Sequence, residues 1–469
     1  MRPTIRIRHL LLTSLAALAT GPVLPLLAQS PAPAPATKAP TPAATTAPAV
    51  APAPKPASLL TVASTKPDAL YKVGEEVTFK VSLAPNSPVA PDAEITWNIS
   101  KDGVPPIKEG KARLSQGTAT VSSSLPEAGF LLCRVTVQHH GKPVTALGGA
   151  GVEPLSIKPS LPAPDDFDAF WAEQKKKVAA VPLNPRLTPV KSDVPKTGES
   201  YDVQLDCIGA PVSGYFCKPA GAAPKSLPAV LLVHGAGVRS SQLNSAANWS
   251  NNGALAMDIN AHGLPNGRSD EFYKDVDQSI LKDYRSAIND SREGCYYLGM
   301  FRRLMQAMNF LCAQPEWDGK TLIVYGSSQG GFQAFAAAAL DDRVTFFAAG
   351  VPAGCDHTGM EVNRIAGWPK FPIVDKTGVK NTKALEAARY FDAVNFAART
   401  KAKAGIVTVG FIDTTCPPTS VYAAYNALPL QNKSIYNDIP SGHSNSPQAV
   451  KAMTDAAVAQ LKAGKGAAE

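Results

Sequence analysis

The fold class is decided by the stretch Leu322-Ile-Val-Tyr-Gly326-Ser327-Ser328-Gln329-Gly330-Gly331-Phe-Gln-Ala-Phe-Ala. An apolar, strand-like run turns directly through Gly-x-Ser-x-Gly into an alanine-rich helical run, which is the pattern of a nucleophile elbow. Gly326 and Gly330 leave room for the backbone where a strand meets a helix without a loop. The pattern predicts Ser328 as a nucleophile. It also predicts the backbone N–H of Gln329, at the start of the helix, as an oxyanion donor.

Strand-like and helical runs alternate on both sides of this elbow. The apolar strand-like runs cover residues 229–233, 253–257, 322–325, 346–350 and 405–411, and the helical runs cover residues 300–313, 332–340 and 447–461. Nearly continuous apolar strands that alternate with helices are typical of a mostly parallel sheet covered on both faces. We therefore expect a doubly wound α/β-hydrolase domain over residues 160–465.

A nucleophilic serine needs a base, and the base needs an acid that orients it. His443 lies in a Gly-containing loop before the last helical run, and Asp413 follows the strand-like run 405–411. The chain order Ser328, Asp413, His443 is the one expected for this fold. Asp438 is a rival acid, but it lies on the same loop as His443 and is poorly placed to reach the far ring nitrogen.

The remaining histidines fit the role of base less well. They precede the nucleophile, lie in other regions or fall in the leader: His9, His139, His140, His234, His262 and His357. The turn that follows the run 229–233 is predicted to supply a second oxyanion N–H. Gly237 is preferred for that donor, with Ala236 left open. No metal or other cofactor is expected, because the chain has no HxxH, HExxH or Asp/His cluster.

The N-terminal part of the chain differs in composition. Residues 1–28 have the basic start, apolar centre and small-residue end of a secretory signal, and residues 29–57 form a linker rich in Pro and Ala. Residues 58–159 contain short alternating runs separated by turn residues, which predicts an all-β, immunoglobulin-like sandwich. Trp97 alternates in phase with Ile95 and Ile99. We therefore favour a core position for Trp97 over a role as a sugar platform.

Charge and cysteine content limit the location and the partners. The net charge of +8 includes three arginines of the signal, and the other cations are interspersed with acids. This distribution argues against nucleic-acid binding. The apolar start is too short and too interrupted to span a bilayer, so an exported protein without membrane insertion is expected. The chain has seven cysteines, an odd number, so at least one thiol is unpaired within the chain. Cys207 and Cys217 flank a predicted turn at equal distances from its centre, which predicts a cross-strand disulfide between them.

The stretch from about residue 162 to 461 resembles the acetylxylan esterase and cephalosporin C deacetylase family, carbohydrate esterase family 7. The resemblance lies in several motifs in matching order: Asp166-Phe167-Asp168-Ala-Phe170-Trp171, Cys295-Tyr296-Tyr297, Arg302-Arg303, Asp318-Gly319, Gly326 to Gly331, Tyr390-Phe391-Asp392-Ala-Val394-Asn395-Phe396-Ala397, and Val409-Gly410 to Asp413 and Cys416-Pro417-Pro418-Thr419. It implies removal of acetyl groups from acetylated oligosaccharides or other small esters through an acetyl-serine. It also implies the same nucleophile, base, acid and Gln329 donor, and a homo-oligomer such as the ring-like hexamer of many members.

Two family signatures are missing from this chain. Asn260-Ala261-His262 stands where the family usually has Arg-Gly-Gln, and Ser444 stands where Glu usually follows the catalytic histidine. Substrate choice and the hexamer therefore carry over less directly than the catalytic residues. The same fold and residue order also serve prolyl-oligopeptidase-like peptidases and dienelactone hydrolases. A non-enzyme alternative is an inactive glycan-binding protein of this fold.

Overall fold

The computed structural model describes residues 59–286, 290–371, 374 and 377–465. The predicted signal and linker lie outside these residues. The described residues belong to one compact unit that begins at Ala57. None of the described helices is both long and apolar enough to cross a membrane.

The first part of the described chain is built only of strands. Their bounds are β1 (Leu60–Ser64), β2 (Leu70–Tyr71), β3 (Val77–Leu83), β4 (Glu94–Lys101), β5 (Pro106–Arg113), β6 (Thr118–Ser123), β7 (Gly129–His139) and β8 (Lys142–Val152). They form one sheet in the order β1-β3-β6 and another in the order β2-β8-β7-β4-β5. Alternate residues of β3 are buried, as expected for strands with one face on a core. Assignment to the immunoglobulin-like class stays a prediction.

The rest of the described chain contains a third sheet, of nine strands. Its strands are β9 (Arg186–Pro189), β10 (Glu199–Leu205), β11 (Val212–Lys218), β12 (Leu227–Val233), β13 (Leu255–Ile259), β14 (Trp317–Ser327), β15 (Val344–Gly350), β16 (Ala404–Gly410) and β17 (Asn432–Asp438). Within the described ranges these strands form one sheet in the order β17-β16-β15-β14-β12-β13-β11-β10-β9. The strands from β13 to β17 in that order are parallel, and β11, β10 and β9 pair antiparallel. The predicted mostly parallel sheet is confirmed.

Helices cover both faces of this sheet. Their bounds are α1 (Phe167–Ala179), α2 (Leu243–Asn251), α3 (Asp270–Gln278), α4 (Tyr296–Cys312), α5 (Gln329–Leu340), α6 (Thr382–Tyr390), α7 (Ala393–Ala397), α8 (Pro418–Ala427) and α9 (Pro447–Lys465), with short 3₁₀ turns at Pro154–Ser156 and Gly359–Val362. Successive residues of β12 face opposite cores. Val230 and Leu232 pack in the cluster that contains Met453 of α9, whereas Leu231 packs in the cluster of α4 and α5.

The β-rich part and the α/β part share one core. The Phe130 ring of β7 meets Phe411 edge-on at 5.0 Å between ring centroids, and it lies 5.4 Å from Tyr422 of α8. Asp102, which follows β4, is buried and accepts hydrogen bonds from the backbone N–H of Phe130 and from the hydroxyl of Thr419. The β-rich part is therefore joined to the segment that follows β16.

The predicted Cys207–Cys217 disulfide is wrong. All seven cysteines are among the described residues and all are free. Leu205 pairs with Val212 across the β10–β11 hairpin, so Cys207 lies in the turn itself. Cys217 faces Ser200 instead, and its thiol lies 3.4 Å from the Ser200 hydroxyl.

Candidate active site

Ser328 occupies a strained turn between β14 and α5. Its backbone has φ 56° and ψ −119°, a conformation that residues other than glycine rarely adopt. A Cβ at Gly326 would stand 2.5 Å from the carbonyl oxygen of Val233, and a Cβ at Gly330 would stand closer still to the same oxygen. The two glycines therefore let the elbow pack directly against the end of β12.

Ser328, His443 and Asp413 form a continuous hydrogen-bonded chain. The Ser328 Oγ lies 2.8 Å from His443 Nε2, and His443 Nδ1 lies 2.7 Å from Asp413 Oδ2. The other oxygen of Asp413 accepts from the backbone N–H groups of Thr415 and Cys416. Because a carboxylate accepts at Nδ1, the Nδ1–H tautomer is favoured, which leaves Nε2 free to accept the serine proton.

The rival residues make other contacts. The hydroxyl of Ser327, the residue before the predicted nucleophile, accepts from the Asn445 side-chain amide at 3.0 Å, whereas Ser328 is the serine hydrogen-bonded to His443. Asp438 accepts from the backbone N–H of Ser446 at the start of α9. The geometry thus brings together the three residues that the sequence predicts and separates Ser327 and Asp438 from them.

The oxyanion side of the site is formed by the start of α5 and the turn after β12. Gln329 is the first residue of α5, and its N–H belongs to the free donors of that helix end. The backbone N–H of Gly237, however, donates to the Tyr284 hydroxyl at 3.1 Å. Ala236 lines the pocket in front of Ser328, whereas Gly237 does not. The structure therefore disfavours Gly237 as the second donor and favours the alternative, Ala236.

Two histidines contact this turn, of which His262 is buried and His234 is half-buried. His234 Nε2 accepts from the backbone N–H of Ala261, and its Nδ1 lies 2.6 Å from the carbonyl oxygen of Gly235. His262 contacts the Gly237 carbonyl through Nε2 at 3.2 Å and the Tyr296 hydroxyl through Nδ1 at 2.6 Å. Burial lowers the pKa of His234 to about 4 and that of His262 to about 3, so both rings stay neutral.

Sequence reasoning missed this support. It excluded His234 and His262 as the base, which agrees with the geometry, but it assigned them no particular contact. The departure from Arg-Gly-Gln was the available signal, because His262 belongs to that stretch. The Ala261 carbonyl also accepts two hydrogen bonds from the Arg303 guanidinium. Through His262, which contacts the Gly237 carbonyl, and through the N–H of Ala261, which donates to His234, the divergent stretch contacts the oxyanion turn directly.

A pocket of about 650 Å³ opens in front of Ser328 and His443. Trp368 and Thr415 form part of its wall, and Ser444 and Asn445 contribute to it from the His443 loop. Its charged lining residues, in the part that the structure describes, are Arg239 and Arg285. This volume lies within the range of small-molecule sites.

One group of side chains could in principle share a metal ion. Within the described ranges, ligand atoms of Asp413, Cys416 and His443 lie within 4.8 Å of one another. Asp413 and His443 are already bonded to each other, and burial raises the pKa of the Cys416 thiol well above its ordinary value. A protonated thiol is a poor ligand, so the chemistry of this group suits a proton-transfer chain better than a metal site.

The elbow, the order of the three residues and the mostly parallel sheet define an α/β-hydrolase. A family model described as acetyl xylan esterase (AXE1) matches residues 155–454. The chain is 30% identical to the acetyl esterase Axe7A of Xylanibacter ruminicola, over 79% of this chain and 84% of that one. The chain therefore belongs to the acetyl xylan esterase family, and it is a carboxylic ester hydrolase.

Solved structures agree with this assignment. The acetyl xylan esterase from Paenibacillus sp. R4 aligns with a TM-score of 0.55 and 26% identity, over 66% of this chain and 98% of that one. Acetyl xylan esterase 1 from Thermoanaerobacterium sp. JW/SL YS485 gives the same TM-score and coverage with 21% identity, which shows the shared fold.

Proposed function

We propose that this protein is an exported serine esterase that removes O-acetyl groups from carbohydrate through an acetyl-serine intermediate. The observation that carries the proposal is the chain of hydrogen bonds from Ser328 through His443 to Asp413 at the floor of an open pocket. The similarity to acetyl xylan esterases and to an acetyl esterase supports acetyl esters as the substrates. The leader-like residues 1–28 support export.

In the acylation step, Ser328 Oγ attacks the carbonyl carbon of the acetyl group while His443 Nε2 takes the serine proton. The resulting oxyanion receives hydrogen bonds from the backbone N–H groups of Gln329 and Ala236, in a position where the dipole of α5 favours negative charge. His443 then gives the proton to the sugar oxygen as the ester bond breaks. The sugar leaves with a free hydroxyl.

In the deacylation step, His443 takes a proton from water, and the hydroxide attacks the acetyl-serine. The same two N–H groups stabilise the second oxyanion. Acetate leaves and the proton returns to Ser328. Throughout the cycle Asp413 holds the imidazole in one orientation and stabilises its charged form, and it keeps its own negative charge.

Replacement of the nucleophile tests the proposal. We expect Ser328→Ala to lower acetate release from acetylated xylo-oligosaccharides and from 4-nitrophenyl acetate by at least about 10⁴-fold, because Ser328 supplies the hydroxyl that is hydrogen-bonded to His443. Ser279→Ala, which removes an exposed hydroxyl at the end of α3, is the matched control and should act like the wild type.

The outcome is read from acetate and 4-nitrophenol release by proteins with unchanged circular dichroism. A Ser328→Ala protein that keeps the wild-type rate would overturn the catalytic assignment. A wild-type protein that cleaves peptide amides or lactones, but releases no acetate from acetylated sugars, would overturn the substrate class and leave the nucleophile in place.

A further inference from the structure

The loop around His443 is attached to the sheet on both sides of the histidine. On the preceding side, a Cβ on Gly410 would stand 2.4 Å from the carbonyl oxygens of Ser441 and Gly442, so this part of the loop rests directly on the end of β16. On the following side the attachment is the side chain of Asn445, which reaches the ends of β14 and β16. The position of the imidazole therefore depends on both attachments.

The amide of Asn445 uses its donor and its acceptor on two different strands. Its Nδ2 donates to the Ser327 hydroxyl of β14 at 3.0 Å, and its Oδ1 accepts from the Thr408 hydroxyl of β16. The Thr408 oxygen itself accepts from the backbone N–H of Val351 at 3.0 Å, so its own proton points at Asn445. This order of donors and acceptors fixes which end of the amide faces each strand.

The strand between these two leaves space for the amide. Ser327 pairs with Gly350 at the end of β15, which lies between β14 and β16 in the sheet. A Cβ on Gly350 would stand 2.5 Å from the Ser327 Oγ and 2.6 Å from the Asn445 Nδ2. Because Thr408 is fully buried and Asn445 is half-buried, loss of one partner leaves a desolvated polar group behind. The amide is therefore built into the edge of the sheet.

Asn445 and His443 contact neighbouring residues of the nucleophile elbow. His443 Nε2 lies 2.8 Å from the hydroxyl of Ser328, and Asn445 bonds to Ser327, the residue before the nucleophile. The loop that carries the base and the elbow that carries the nucleophile are thus joined at two points. The first bond depends on the serine proton, whereas the second involves no group that reacts.

The two bonds differ once Ser328 carries an acetyl group. The ester oxygen then has no proton to donate, and the imidazole that remains after the sugar has left is neutral and an acceptor at Nε2. The bond between Ser328 and His443 is therefore absent in the intermediate, in which His443 has to activate water. At that stage the ring is oriented by Asp413 at Nδ1 and by the attachments of its loop.

We propose that Asn445 is a positioning residue that holds the His443 loop against the elbow while Ser328 is acetylated, so that it supports deacylation more than acylation. This inference rests on the proposed esterase function and deepens its mechanism. Ser444, which stands where the family usually has Glu, is exposed. In this chain the attachment that follows the histidine is therefore supplied one residue later.

The experiment measures the two half-reactions separately. Rapid mixing with 4-nitrophenyl acetate gives the acylation rate from the first release of 4-nitrophenol. Acid quenching and intact mass spectrometry give the rate at which the acetylated protein decays once the substrate is used up. We expect Asn445→Ala to lower the decay rate by about ten- to hundredfold and the acylation rate by less. A purely structural role would lower the active fraction and leave the ratio of the two rates unchanged.

Two further variants remove the partners of the amide and decide the question if Asn445→Ala does not fold. Thr408→Val preserves the shape of the side chain, and the N–H of Val351 keeps its bond to the carbonyl of residue 408 at 3.1 Å. Thr408→Val and Ser327→Ala should each lower the decay rate by about three- to tenfold. Ser327→Ala added to Asn445→Ala should cause no further loss, because the bond between them is already gone.

Asn309→Ala is the matched control. Asn309 is also half-buried, and its amide likewise donates to one side chain and accepts from another, those of Gln306 and Arg343. Arg343 directly precedes β15, so this amide lies at the opposite end of the sheet from the nucleophile. The variant should lose stability and keep the wild-type ratio of the two rates.

The outcomes separate this inference from the proposed function. If the ratio of the two rates is unchanged in both Asn445→Ala and Thr408→Val, the positioning role is overturned and the esterase function stands. If the wild-type protein releases acetate without acetylation of Ser328, the acetyl-serine mechanism fails, and the role of Asn445 in deacylation fails with it. Slower decay in both variants, with the control unchanged, establishes the role.

Discussion

At the scale of single residues, the active site depends on groups that stay neutral as much as on groups that carry charge. His234 and His262 contact the backbone of the oxyanion turn on its inner side. A proton on either ring would place an uncompensated charge in a buried position and beside another histidine. The folded protein therefore keeps both rings unprotonated at a pH where a free imidazole takes up a proton.

This difference predicts acid sensitivity. Burial lowers the pKa of His262 from its ordinary 6.5 to about 3. Between these two pH values His262 binds a proton in the unfolded chain but not in the folded protein. The contribution of His262 to stability is therefore complete above about pH 6.5 and is lost as the pH falls toward 3. His262→Gln removes the titrating ring, and its amide can still donate to Gly237. When the pH is lowered from 8 to 5, we expect the free energy of unfolding to fall in this variant by about 2 kcal/mol less than it falls in the wild type.

Urea titrations at the two pH values measure this difference. His140→Gln, a replacement of an exposed histidine in the β-rich part, is the control and should retain the wild-type pH response. If His262→Gln loses as much stability as the wild type on acidification, the buried neutral ring is not the source of the acid sensitivity.

The predicted residues that the structure brings together are those with a strong local pattern. Ser328 stands in a motif and Asp413 and His443 follow in a known order, so the pattern alone indicated which residues to bring together. The choice between Gly237 and Ala236 depends on the Tyr284 hydroxyl, which is 47 residues away in the chain. Contacts of this kind form only in the folded protein, and no local sequence pattern predicts them.

At the scale of elements, the junction of β12, β14 and α5 carries the site. A Cβ on Gly330 would meet the carbonyl oxygen of Val233, so the first turn of α5 rests directly on the end of β12. The same contact fixes the oxyanion turn, which begins at the next residue. Close backbone packing here couples the nucleophile to both proposed N–H donors.

Two helical glycines should therefore respond oppositely to the same substitution. Gly330→Ala is expected to lower the free energy of unfolding by about 1–3 kcal/mol, because neither backbone can move away without shifting the elbow. Gly299→Ala in α4 places its Cβ 3.4 Å from a guanidinium nitrogen of Arg303, an ordinary van der Waals contact, and should raise stability by about 0.5–1 kcal/mol. Chemical denaturation measures both changes. Equal stability of the two variants would show that the elbow is not closely packed.

The positions of the strands along the chain were largely predictable from the sequence. The register with which neighbouring strands pair was not. The apolar runs at 229–233 and 322–325 lie within β12 and β14, because buried parallel strands leave a continuous apolar signature. The β10–β11 hairpin shows the limit. Its turn lies at residues 206–211, several positions before the centre that the cysteine spacing suggested. Side-chain pairing across a hairpin depends on turn length, and this turn carries no short Asn-Gly or Asp-Gly signal to fix it.

At the scale of the whole molecule, the β-rich part is more than an addition to the hydrolase. Residues from 155 onward make up only about two thirds of the chain, whereas the alignment with Axe7A covers 79% of it and therefore extends into the β-rich part. Asp102 and Phe130 of that part contact Thr419 and Phe411. Phe411 and Thr419 lie on either side of Asp413 in the chain. The packing between the two parts thus bears on the position of the proposed triad acid.

Removal of one ring at this junction should therefore affect catalysis as well as stability. Phe130→Ala is expected to lower the free energy of unfolding by about 3–5 kcal/mol, and also to lower kcat on 4-nitrophenyl acetate by about tenfold, because Phe411 can shift and carry Asp413 away from His443. Phe79→Ala is the matched control. Phe79 is equally buried, but it lies in β3 within the β-rich part, so this variant should lose similar stability and keep the wild-type kcat. The rates are measured at a temperature where both variants are fully folded. If both variants retain kcat, the β-rich part stabilises the hydrolase without positioning its acid.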